Sequence, residues 1–201
     1  ALAAETPDSA ATAAAVLGTC LEDWHAAVQK AAACGLEKFV GKASSDPAAS
    51  KAIEAFSARA MRGDRSGLTA LMTALERDEA STTWRQALGA LVRVVLQTDS
   101  AQPAEFAVKA AAAKAIGAEL LRKPCRASPR DQEGLLATLA LAASDWHADV
   151  RKPSLTTLCS VAEATKGRGN LGLAAVAALA PKACEGVAEA AACLKKLGIC
   201  S

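Results

Sequence analysis

The stretch that decides the fold reads DWHAAVQK at residues 23–30, and it returns as DWHADVRK at residues 145–152, an offset of 122 positions. That offset is about three periods of 40, a length typical of helical-hairpin repeats. Weaker echoes follow the same period at residues 102–110 (QPAEFAVKA) and 187–193 (VAEAAAC). The missing copy is expected near residues 64–75, where DRSG precedes a helical apolar pattern. The chain is therefore predicted to contain about five repeats.

The composition favours helices throughout. Alanine makes up roughly a quarter of the 201 residues, tyrosine is absent and aromatic residues total 3%, whereas strands are rich in aromatic and β-branched residues. Proline suits first helical turns and glycine suits helix ends, and the positions used here are Pro47, Pro103, Pro181, Gly41, Gly63 and Gly167. Ten helices are predicted, at residues 8–20, 24–41, 47–62, 66–77, 82–97, 103–122, 130–143, 146–165, 170–179 and 182–197.

Successive helices are expected to pair as hairpins, at residues 8–41, 47–77, 82–122, 130–165 and 170–197, within one domain spanning residues 1–201. A single hairpin cannot bury its own apolar stripe, so stacked hairpins share a continuous core. The predicted fold is all-α, a right-handed α-solenoid. Pro153 falls inside a predicted helix and is expected to kink it or to shorten its start.

One repeat resembles the HEAT family. The residues that carry the resemblance are LLATL at 135–139, Asp145, Val150, Arg151, Leu155 and Leu158. The similarity is clear in repeats one, three and four, and the period extends it to the whole chain. In that family the turn aspartate and the following basic residue help to tie successive repeats together, which implies this role for Asp145 and Arg151. Repeat one has Gln29 beside Lys30, and repeat three has Gln102 with Lys109. The series of Asp–basic contacts between successive repeats is therefore expected to be incomplete.

Charge and hydropathy exclude several function classes. With 23 basic and 21 acidic residues the net charge is +2, far from the basic excess of a nucleic-acid-binding protein. No apolar run approaches the roughly 18 to 20 residues that span a bilayer, although a peripheral contact with a membrane complex is compatible with the sequence. No catalytic motif is present, and His25 and His147 lie three repeats apart. We expect no enzyme activity, cofactor or metal.

The seven cysteines are an odd number without a CxxC pair, so neither a zinc site nor a complete disulfide framework is indicated. Cys34, Cys159 and Cys193 fall in helical apolar patterns, where a thiol packs as a small hydrophobe. The region from Cys184 to Cys200 is the expected place for any cross-link.

Turns within hairpins line one edge of such a stack. The partner-binding candidates on that edge are Trp24, His25, Arg62, Arg65, Trp146 and His147, and residues 98–100 lie there too. Tryptophan is favoured at interfaces because it combines a large apolar area with an N–H donor. The alternative is that Trp24 and Trp146 are hydrophobic staples over their own helix starts, with Asp23 and Asp145 as N-caps.

The links between hairpins line the opposite edge, which carries a basic cluster. Its members are Arg122, Lys123, Arg126 and Arg130, followed by Lys166 and Arg168. Arginine binds carboxylates and phosphates with two parallel hydrogen bonds, so the cluster could dock an acidic protein surface or lipid headgroups. It could equally be a solvated loop whose cations complement helix dipoles.

These observations predict a non-enzymatic protein–protein interaction scaffold, an accessory or peripheral subunit whose partners are other subunits of a larger complex. The chain also resembles the tubulin-binding TOG arrays through Trp24, although such arrays carry more basic residues than Arg62, Arg65 and Lys182. A HEAT-like lyase or chaperone is a third class, and a lyase would require paired acids or a reactive cysteine. The segment ALAA at residues 1–4, without an initial Met, fits a processed plastid or mitochondrial protein. An intact cytoplasmic protein or a trimmed chain is the alternative.

Overall fold

The computed structural model describes residues 7–40, 47–77, 82–97, 102–123 and 125–199. Within these ranges lie ten α-helices and no β-strand. The helices are α1 (Pro7–Cys20), α2 (Ala26–Val40), α3 (Pro47–Met61), α4 (Arg65–Arg77), α5 (Thr82–Leu96), α6 (Pro103–Leu121), α7 (Pro129–Ala142), α8 (Ala148–Ala164), α9 (Gly169–Cys184) and α10 (Ala188–Lys196). The all-α prediction is confirmed for this part of the chain.

The chain divides into two compact units, Ala1–Leu91 and Val92–Ser201. In the first unit α1 packs on α2 and α3, and α3 packs on α2 and α4. In the second unit α8 is central, because it packs on α6, α7, α9 and α10, while α7 also packs on α9. Each unit is thus built of helices that pack on their sequence neighbours, as in an α-solenoid of helical hairpins. The right-handed twist and the single domain stay predictions.

Each unit has a core of a few large residues among many alanines. In the first unit Leu36, Ile53, Leu71 and Trp84 are almost completely buried. In the second unit the same holds for a set spread over α6 to α10, namely Ile116, Leu139, Leu158, Leu179 and Leu194. Small residues between them let helix backbones approach closely, which keeps the core well packed with few aromatic side chains.

The boundary between α9 and α10 differs from the prediction. Pro181 was expected to separate two helices, but α9 continues through it and ends at Cys184. Gly186 ends the helix instead, with φ +84°, and the N–H groups of Gly186 and Val187 bond to carbonyls of the last turn at 3.0 Å each. The reason is that proline removes only one N–H, whereas a glycine at positive φ redirects the backbone. Gly41, expected to end the second helix, lies outside the described residues.

The weaker sequence echoes predicted offsets of 80 and 159 from the first repeat. The helix starts lie close to these values, because α6 begins at Pro103 and α10 at Ala188, which are 77 and 162 residues after Ala26. Pro153 remains inside α8, which starts two residues later than predicted, at Ala148.

Candidate functional site

The repeated Asp-Trp-His segments form the same turn in front of α2 and α8. The Oδ1 atom of Asp23 accepts the backbone N–H of His25 at 2.7 Å, and Asp145 does the same for His147 at 2.8 Å. Each histidine Nδ1 then accepts the N–H two residues later, at 3.3 Å in both turns.

Histidine therefore caps these helices, and the expected aspartate N-cap is wrong at α8, whose N-cap is His147. The physical reason is that the aspartate carboxylate accepts the N–H of the histidine two residues later, which forms a turn before the helix begins. This turn delays the helix start by two residues.

The tryptophans in these turns are not staples. Trp24 is 91% exposed and Trp146 is 71% exposed. The helix position that a staple would contact holds Gln29 or Arg151, and both side chains instead donate to the backbone carbonyl of the turn aspartate, at 2.5 Å and 2.9 Å. Each indole stands edge-on to its neighbouring histidine, with centroids 5.4 Å and 5.2 Å apart. Both indoles thus face outward from a turn held by backbone and side-chain hydrogen bonds.

In the second unit, α6 covers this turn. Phe106 lies flat on the ring of His147, with centroids 3.7 Å apart and an interplanar angle of 7°, and it meets Trp146 edge-on at 5.4 Å. Three residues along α6, the Nζ of Lys109 lies 3.6 Å from the carboxylate of Asp145 and donates to the carbonyl of Gln97. Asp145 is thus linked to the preceding hairpin by its ion pair with Lys109. Arg151 instead donates hydrogen bonds to the backbone carbonyls of the turn before α8.

We call this arrangement the closed socket, and it consists of Asp145, Trp146, His147 and Val150. Its counterpart in the first unit, the open socket, consists of Asp23, Trp24, His25 and Val28. Val150 is completely buried, whereas Val28 is 39% exposed. Among the described residues, Trp24 contacts no ring except that of His25.

The two arginines expected beside Trp24 have different roles. Arg62 forms an ion pair with Glu22, which links the end of α3 to the α1–α2 turn. Arg65 opens α4 and is exposed. Between them, Asp64 binds Arg59 and the backbone and hydroxyl of Ser66. Burial opposes ionisation of Asp64, but these hydrogen bonds and the Arg59 charge outweigh it and lower its pKa below 3.8. Residues 98–100 of this edge lie outside the described residues.

The basic cluster on the opposite edge is partly internal. Arg126 donates to both carboxylate oxygens of Glu119, at 3.0 Å and 2.9 Å, and its side chain is only 10% exposed. Arg122 lies 3.0 Å from the same carboxylate. Arg126 is therefore the counter-charge of the buried Glu119, and its contact with a partner stays a prediction. The remaining candidates of this edge are exposed, namely Lys123, Arg130, Lys166 and Arg168.

A groove between α2 and α4, missed by the sequence analysis, begins at Ala26 in the first turn of α2. It encloses about 480 Å³ and is lined by Ala26, Gln29, Ala33, Glu37, Arg59 and Ser66, among others. A second cavity of about 160 Å³ adjoins it at Glu37 and reaches Phe56 on α3. Because the groove depends on the spacing of helices, no sequence signal could have located it.

The buried Cys193 meets the half-buried Cys159 between α8 and α10. The Cys193 thiol lies 3.9 Å from the carbonyl of Cys159. Burial, followed by the neighbouring Cys193 thiol, raises the pKa of Cys159 to about 12, and burial also raises the pKa of Cys193. Both thiols are therefore protonated at neutral pH and are poor nucleophiles. Cys200, half of the expected cross-linking region, lies outside the described residues.

Within the described ranges, no cluster of three or more His, Cys, Asp or Glu side chains could hold a metal ion. In the same ranges, none of the helices combines the length and the apolar character that crossing a bilayer requires. No family model matches the chain, and no curated protein matches it.

Proposed function

We propose that the chain is a HEAT-type helical-repeat protein and acts as a non-enzymatic scaffold, an accessory subunit that binds other proteins of a larger complex. The observation that carries this proposal is Trp24, which is 91% exposed on a turn held by side-chain hydrogen bonds. An indole left in water on an ordered turn is typical of an interface anchor.

The surroundings of Trp24 support the proposal. Val28 is exposed on the first turn of α2, and the groove between α2 and α4 offers a concave surface along the same helix. The partner would bury Trp24 and Val28, while the groove residues Ala33 and Glu37 lie on the other face of α2. A lyase would instead need paired acids or a reactive cysteine, and the raised pKa values of Cys159 and Cys193 make these two thiols unsuited to that role.

The proposal is tested by affinity purification from native extract with quantitative mass spectrometry. We compare the wild type with Trp24→Ala and with Leu173→Ala, which removes an apolar side chain that is also exposed, at 61%. Because truncating an interface anchor costs about 2 kcal/mol or more, Trp24→Ala should reduce specific co-purifying proteins by at least about tenfold. Leu173→Ala should leave them unchanged. Equal recovery with all three proteins would refute a partner site at Trp24.

A second candidate function is tubulin binding of the TOG type, which the exposure of Trp24 favours. Arg65 is the exposed basic residue on the neighbouring turn, while Arg62 is neutralised by Glu22. Size-exclusion chromatography with purified tubulin tests this candidate. Co-elution that is lost in Trp24→Ala and in Arg65→Glu would establish it, and separate elution of the wild-type chain and tubulin would exclude it.

A further inference from the structure

We propose that the open socket receives an amphipathic helix of a partner protein that carries an aromatic residue and, three positions later, a lysine. This inference rests on the proposed scaffold function and specifies the partner's chemistry. It follows from the closed socket, where the same turn is already occupied by Phe106 and Lys109 of α6.

The two sockets have the same internal geometry. The aspartate accepts the histidine N–H at 2.7 Å and 2.8 Å, and the histidine accepts the next N–H at 3.3 Å in each. The indole and imidazole rings are edge-to-face in both, at interplanar angles of 74° and 89°. In both sockets the side chain of the fourth helical residue, Gln29 or Arg151, donates a hydrogen bond to the backbone carbonyl of the turn aspartate. The open socket is therefore already shaped to receive a helix.

The sockets differ in what covers them. The Asp145 side chain is 13% exposed and paired with Lys109, whereas Asp23 has no ion-pair partner among the described residues. Val150, in the first turn of α8, is completely buried, whereas the equivalent Val28 in the first turn of α2 is 39% exposed. An anionic oxygen and an apolar floor thus remain available beside Trp24.

The occupant's side chains are specified by these groups. A flat aromatic ring can stack on His25 and meet Trp24 edge-on, as Phe106 does in the closed socket. A lysine three residues later projects from the same helix face and reaches Asp23. The rest of the helix needs small residues over Val28, because only small side chains allow close packing of two helices.

The probe is a peptide of residues 102–121, the sequence of α6 with its own capping box. A hydrocarbon staple between positions 114 and 118, both exposed on α6, holds it helical. Fluorescence anisotropy measures its binding to the full chain. We expect saturable binding that weakens at least about tenfold with Trp24→Ala in the protein, or with Phe106→Ala in the peptide. Leu173→Ala should leave the affinity unchanged.

The charge contact is tested by a double-mutant cycle. Asp23→Asn keeps an acceptor for the His25 N–H but removes the charge, and the peptide change Lys109→Met removes its partner. Each change alone should weaken binding severalfold, and the second should have little further effect once the first is present. Additive effects would refute the Asp23–lysine contact.

Absence of saturable binding, or binding insensitive to Trp24→Ala, would overturn the inference. If protein co-purification from extract still depends on Trp24 in that case, only the helix-docking inference fails and the scaffold proposal stands. If co-purification is also insensitive to Trp24, both fail.

Discussion

Gly117 offers a quantitative test of how α6 packs against α8. A Cβ atom added at Gly117 would lie 2.1 Å from the Cγ2 methyl of Thr157. That methyl cannot easily rotate away, because the Thr157 hydroxyl donates to the carbonyl of Pro153 at 2.8 Å and β-branched side chains are stiff about χ1. Overpacking of this kind costs about 1–3 kcal/mol, while Gly→Ala in a helix interior gains about 1 kcal/mol. Gly117→Ala should therefore lower the free energy of unfolding by up to about 2 kcal/mol.

The matched control is Thr157→Ser, which removes the obstructing methyl and keeps the hydroxyl. The nearest Thr157 atoms to the new Cβ would then be 3.5 Å and 3.8 Å away, ordinary contact distances. In the serine background Gly117→Ala should stabilise the protein by about 1 kcal/mol, reversing the sign of its effect. Urea unfolding followed by far-ultraviolet circular dichroism measures all four proteins. The same effect of Gly117→Ala in both backgrounds would refute the close approach of α6 and α8.

Three further predictions concern buried charges and thiols. Glu119→Ala removes the carboxylate that neutralises the buried Arg126 and should cost about 3–5 kcal/mol in urea unfolding; a loss below 1 kcal/mol would contradict this. Because the pKa of Asp64 is lowered in the folded state, its contribution to stability is present above pH 3.8 and is lost as the pH falls through the folded value. Acid titration should therefore destabilise Asp64→Asn less than the wild type, and equal losses would refute the shift. Because burial raises the pKa of Cys159 to about 12, iodoacetamide at pH about 8 should modify the exposed Cys34 much faster than Cys159. Peptide mass spectrometry measures both rates, and equal rates would contradict the raised pKa of Cys159.

Helix boundaries could be predicted from the sequence wherever the backbone preferences of single residues determine them. Proline at residues 47 and 103 and glycine at residue 63 bracket helices as expected, because their backbone preferences act independently of packing. Pro181 was misread because a proline removes only one helical N–H, and α9 continues through it to Cys184. The Asp-Trp-His turn misled because aspartate can either cap a helix or close a turn in front of it.

The candidate site was readable only in part. The repeat identified Trp24 and Trp146 as a matched pair, but not that Trp146 contacts Phe106 whereas Trp24 meets only the ring of His25 among the described residues. Arg126 looked like a surface cation because Glu119, seven positions earlier, gives no sign in the sequence of being buried. Both outcomes depend on which helix lies alongside, which local sequence does not encode.

By itself the sequence determined the all-helical class and the ten helices of the described ranges, and the internal duplication of residues 23–30 at 145–152, because helix propensity, capping and periodicity are local properties. Tertiary structure alone decided that the duplicated turns have different environments. Val150 is completely buried, whereas Val28, the same residue type at the equivalent position, is 39% exposed. Burial is a property of the neighbouring helices, so two nearly identical segments acquire different roles only once the chain has packed.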